Sequence, residues 1–68
     1  QLEEKEFMDR LQNAIAELPE GQREVFLLNR MDQMTYKEIA EFLGVSQKAV
    51  EKRMHKALVK LRKTVKNI

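Results

Sequence analysis

Residues 35 to 58 read TYKEIAEFLGVSQKAVEKRMHKAL, a stretch with two helix starts separated by a single break. Thr35 and Glu38 have the T-x-x-E spacing of a capping box, in which each side chain satisfies a backbone donor at the other residue. A helix therefore begins there. Ile39, Ala40 and Leu43 mark its inner face, and Gly44 can take the left-handed conformation that closes it. Ser46 can then accept from the free N–H groups of the next turn and start another helix. Two helices joined by so short a turn cannot run side by side for long; they cross steeply, as a helix-turn-helix, and the second stands proud of the body. The rest of the chain has to supply the body.

Apolar spacing predicts that body. Met8, Leu11, Ile15 and Leu18 recur on one helical face, flanked by Phe7 and Ala14, which predicts a first helix over about 2–17. Pro19 ends it and suits the first turn of a new helix, where its missing N–H costs nothing, while Glu20 favours the positive helix end. The second helix is expected over about 19–32. Its block Val25, Phe26, Leu27, Leu28 and Met31 is wider than one stripe, so it is expected to be touched on several sides and to sit at the centre of the core. The third and fourth helices are expected over about 35–43 and 46–66, the last with Val50, Met54, Ala57, Leu58, Leu61, Val65 and Ile68 facing inward. No strand pattern, repeat or low-complexity segment appears. The expected fold is all-α: a single domain of four helices ending in a helix-turn-helix with a long recognition helix.

Size and composition narrow the function. A chain of 68 residues forms one domain and buries only about 60% of the surface its unfolded state exposes, so a large enclosed active site is not expected. With no cysteine, neither disulfides nor thiolate metal ligands can hold it together. His55 is the lone histidine, and the acids lie on helix surfaces without a glycine-rich phosphate loop. No nucleophile–base pair or metal set can be assembled, so the chain is read as not an enzyme, with no cofactor and no small-molecule substrate. There is no apolar run long enough for membrane insertion and no secretion leader, which reads as a cytoplasmic protein. Opening on Gln1 without an initiator methionine, the chain reads as a piece of something longer.

The net charge of +2 hides a division. Residues 1–45 hold five basic and ten acidic groups, a balance of −5, whereas residues 46–68 hold eight basic groups against Glu51 alone, a balance of +7. One polyanion-seeking element sits on an acidic body. On a helical wheel, Lys48, Lys52, Lys56 and Lys63 fall opposite the inward set, with Arg53 at their margin. A helix that needed only solubility would mix signs on that face. The sign bias and the capped turn together point to nucleic acid, with the leading half of the helix in the major groove and the preceding helix across the backbone. Phe26, Leu27 and Phe42 are candidates for partner contacts or for core, and Val59 is an apolar residue out of place among the lysines.

Residues 18–63 resemble region 4 of bacterial sigma factors of the extracytoplasmic-function group. The resemblance rests on LPE followed by REVFLL, on TYKEIAEFLGVS, and on VEKRMHKALVKLR, the last most similar to iron-citrate-type sigma factors of Bacteroidetes. It implies a C-terminal module of a longer sigma factor that recognises the minus-35 promoter element and docks on the β flap of RNA polymerase, with an anti-sigma factor as a further possible partner. Carried across residue by residue, it implies DNA-facing roles for Gln47, Lys48, Glu51, Lys52, Arg53 and Lys56, and phosphate-backbone roles for Arg23, Tyr36 and Lys37. Two residues depart from the family pattern: Gly21 stands where a charged residue is usual, and Glu51 where many members are basic. The rival resemblance is to LuxR-type response-regulator output domains, which share the REVF and KEIAEFLGVS grammar but end the recognition helix sooner. A protein-interaction bundle offering an apolar helix stripe is the alternative of a different class.

Overall fold

A computed structural model describes residues 4–64 as four helices in the order expected: α1 (Glu4–Ala16), α2 (Glu20–Arg30), α3 (Tyr36–Leu43) and α4 (Gln47–Thr64). No strand occurs among the described residues. Pro19, Thr35 and Ser46 stand just before the first helical residues, so α2, α3 and α4 each start one residue later than the expected bounds. Pro19 is the N-cap of α2 in an extended conformation, φ −54° and ψ 149°. Thr35 caps α3 in a complete capping box: the Glu38 N–H donates to Thr35 Oγ1 at 3.1 Å, and the Thr35 N–H donates to Glu38 Oε1 at 2.8 Å. Ser46 Oγ accepts from the Ala49 N–H at 3.0 Å and so opens α4.

Gly44 closes α3 in the left-handed region at φ 72°, as its position required. The other sharp bend lies between α2 and α3, where Gln33 takes φ 56° although it has a side chain. Asn29 steadies that bend by donating from Nδ2 to the Met34 carbonyl at 2.9 Å.

The core consists of Ala14, Leu18, Val25, Phe26, Ile39, Ala40, Val50, Met54, Ala57 and Leu61. The inner face of α4 is the one the sequence indicated, with Val50, Met54, Ala57 and Leu61 buried; Val65, Ile68 and the expected helical turn beyond Thr64 lie outside the described residues. Two expectations change. The central helix is α4, which packs against α1, α2 and α3, whereas α2 chiefly contacts α3 and α4 and buries only Val25 and Phe26. Met31 is 73% exposed, because α2 ends at Arg30 and Met31 caps it. In α1 the inward face is rotated toward Ala14 and Phe7, leaving Met8 45% exposed, because α1 docks on α4 by that edge.

Candidate nucleic-acid interface

The Gly44 turn and the Ser46 cap fix where α4 begins, and the buried set beneath it fixes its rotation. Gln47, Lys48, Glu51, Lys52 and Lys56 are all exposed, on turns whose opposite face is sealed by Val50 and Met54. The recognition face predicted from charge is therefore free to meet a ligand. Lys37, in the first turn of α3, is exposed as well, while Tyr36 beside it is half-buried against the core. His55 is exposed on the same helix, one turn beyond Glu51. Val59 is 37% exposed among the lysines.

The two arginines are placed differently from the lysines. Arg53 is half-buried, its Cδ and Nε each 3.7 Å from where a Cβ of residue 21 in α2 would stand. Arg23 is half-buried too, and one of its terminal nitrogens donates to the carbonyls of Ala16 at 3.2 Å and Leu18 at 3.1 Å. The Ala16 carbonyl ends α1 and the Leu18 carbonyl lies just beyond it, so Arg23 ties the end of the first helix to the second by satisfying acceptors that continue no helix. Sequence reasoning gave Arg23 only a phosphate contact. The signal for its structural role was present in its position, a few residues past a helix end where cations favour the dipole.

A second surface lies between α1, α2 and α4. Met8, Leu11, Ile15, Phe26, Leu27 and Leu58 line a groove of about 600 Å³, with Arg30 and Arg62 among its polar wall residues. Arg30 stands over the Phe26 ring, 5.8 Å from its centroid, within the range of cation–π attraction. Phe26 is buried and belongs to the core, and Leu27 is half-buried in the groove. Phe42 is 69% exposed and belongs to neither. Among the described residues no group of three or more His, Asp or Glu side chains is placed to hold a metal ion, and no helix is long and apolar enough to cross a membrane.

The sigma-70 region 4 family model ("Sigma-70, region 4") matches residues 8–61, a span that includes most of α1 and α4 and the whole of α2 and α3. The chain belongs to the sigma-70 region 4 family. That makes it a DNA-binding domain of the transcription apparatus, in a family of regulatory domains and not of enzymes. It is also similar to the positive control factor of Bacillus subtilis (strain 168), with 32% identity over 59 residues, which is 87% of this chain and 35% of that relative. The chain thus spans about a third of that relative's length. No solved structure matches. A LuxR-type output domain is not favoured, since the region 4 match runs through α1 and α4 alike.

Proposed function

We propose that this region 4 domain binds the minus-35 promoter element as part of an extracytoplasmic-function sigma factor, placing the leading half of α4 in the major groove while RNA polymerase is recruited. The observation that carries this reading is the pairing of a sealed inner face with an exposed basic outer face on one capped helix. Lys48, Lys52, Arg53 and Lys56 neutralise phosphates and set register, with Lys37, Tyr36 and Arg23 on the flanking backbone; Gln47 and Glu51 read base edges. Phosphate contacts supply most of the affinity and little of the selectivity. The name of the similar Bacillus subtilis protein, a positive control factor, agrees with an activating role in transcription.

The groove supports the polymerase half of the proposal. Its apolar floor suits the apolar side of a helix such as one from the β flap, and Arg30 and Arg62 favour acidic flanks on that partner. An anti-sigma factor that covered the same groove would compete with polymerase. The finer kinship, to iron-citrate-type sigma factors, and the cytoplasmic location belong to the same proposal.

The test is a titration of a labelled promoter duplex and a scrambled duplex at a series of salt concentrations, read by fluorescence anisotropy. The six cations placed at phosphates, four on α4 with Lys37 and Arg23, predict a slope of about −5 in the logarithm of affinity against the logarithm of salt. The promoter duplex should bind more tightly at every salt concentration. Salt-independent binding, or none at low salt, would sink the proposal.

A further inference from the structure

Gly21 is the second residue of α2, a place where glycine weakens a helix relative to alanine. Backbone geometry does not call for it: among the described residues, Gly44 is the glycine with a positive φ. What Gly21 provides is space. A Cβ built there would stand 3.7 Å from both Cδ and Nε of Arg53 and 3.9 Å from Cζ. Those atoms run from the end of the arginine stem into the guanidinium, so the outer half of the side chain passes position 21 at the distance of a packed methyl group. Its burial agrees, for Arg53 is half-buried while Glu51, Lys52 and Lys56 around it are exposed.

We propose that Gly21 is a positioning residue for DNA binding, its lack of a bulky side chain leaving the space beside the first turn of α2 in which the outer half of Arg53 lies, with the guanidinium at the margin of the lysine face. The inference rests on the reading of Arg53 as a phosphate contact. A flexible arginine loses rotamer freedom when it clamps a phosphate, and one already laid against a rigid helix has lost much of it beforehand. The planar guanidinium gains most from such fixing, because its donors are set in a fork that has to be aimed.

The seat has a size limit. A contact of 3.7 Å is ordinary van der Waals packing, so alanine fits without moving Arg53. Isoleucine does not, because its branched Cβ fills two of the three staggered directions and extends one bond further into atoms already in contact.

The experiment measures binding of a labelled duplex across a salt series for the wild type, Gly21→Ala, Gly21→Ile, Arg53→Ala and the double variant Gly21→Ile/Arg53→Ala, with circular dichroism to follow folding. Gly21→Ala should bind within about twofold of the wild type with an unchanged salt slope, and melt at the same temperature or higher. Arg53→Ala should bind several-fold more weakly, with its salt slope reduced by about one. Gly21→Ile should lose at least about threefold in the wild-type background and nothing further in the Arg53→Ala background, which is the signature of one residue acting through another. If Gly21→Ile melts below the binding temperature, Gly21→Leu, a better helix former that reaches the same space, takes its place in the cycle. Wild-type binding by the bulky variant, or an equal loss in both backgrounds, overturns the seat while leaving the phosphate role of Arg53 standing. Wild-type binding by Arg53→Ala removes that role, and the positioning inference with it.

Discussion

Val50 ties stability to recognition more directly than any other residue of α4. It is 0% exposed and lies on the turn that carries Gln47 and Glu51 on its outer side, so its packing sets how the leading half of the helix is rotated. Val50→Ala deletes two carbons from a filled site. At about 0.8 kcal/mol per buried methylene the transfer term is about 1.6 kcal/mol. Incomplete collapse of the resulting cavity raises the cost to about 2–3 kcal/mol. A domain of 68 residues has a total stability on the order of 3–10 kcal/mol, so one truncation removes a large share of it. At about 4–8 °C per kcal/mol for so small a domain, the melting midpoint should fall by roughly 8–24 °C. The assay is a thermal melt followed by far-UV circular dichroism, with Lys52→Ala as the control from the outer face, where changes stay within about 0.5 kcal/mol. A fall of less than about 4 °C for Val50→Ala would refute the orientation of α4, because no filled site can lose two carbons so cheaply.

Three further outcomes follow from individual residues. Gln22→Met should raise the melting midpoint, because Gln22 Oε1 is buried without a hydrogen-bond partner among the described residues and removing an unpaired acceptor recovers about 1–3 kcal/mol; an unchanged or lower midpoint would mean that the oxygen is satisfied in solution. Gln33→Gly should stabilise by up to about 1 kcal/mol in urea denaturation, since a left-handed residue with a side chain carries a strain that glycine lacks, and a destabilised variant would show that the Gln33 side chain contributes more than its strain costs. Glu51→Ala should strengthen binding to scrambled duplex slightly, by removing a charge that repels phosphate, and relax preference at one promoter position by about 1–3 kcal/mol if the carboxylate accepts from a cytosine amino group. Unchanged preference at every position of a promoter-variant panel would leave Glu51 only a local role, such as pairing along the helix with His55 or Lys48.

The helix-turn-helix was legible in the sequence because its signals are local. A capping box spans four residues, a left-handed glycine is one residue, and a serine cap acts on the next turn, so none depends on distant packing. The inner face of α4 was legible for a related reason: Lys48, Lys52, Lys56 and Lys63 crowd the other side, and a rotation that buries the apolar stripe keeps them in water. The orientation of α1 was not legible in this way. Its stripe through Met8 and Leu11 and the neighbouring edge through Phe7 and Ala14 both have helical spacing, and the choice between them depends on where α1 docks on α4. The width of the apolar block in α2 was read as centrality, but part of that block lines an open groove. Gly21 was visible as an oddity, a glycine inside a helix, yet its use depends on Arg53, more than thirty residues further along the chain.

The placement of α4 at the centre has a consequence for how such a domain can vary. The helix proposed to present side chains to DNA is also the one that α1, α2 and α3 all pack against, so the element cannot shift without disturbing the whole core. Its two faces, however, answer to different demands. The inner residues Val50, Met54, Ala57 and Leu61 are constrained by volume, whereas Gln47, Lys48, Glu51, Lys52 and Lys56 touch water and are constrained only by what they bind. Exchanges on the outer face should therefore redirect recognition at little cost in stability. Arg53 is the exception, because its outer half lies beside α2 at Gly21 while its charge is proposed to meet phosphate. A change there moves both properties at once, and the glycine opposite it is the residue through which the two could be uncoupled.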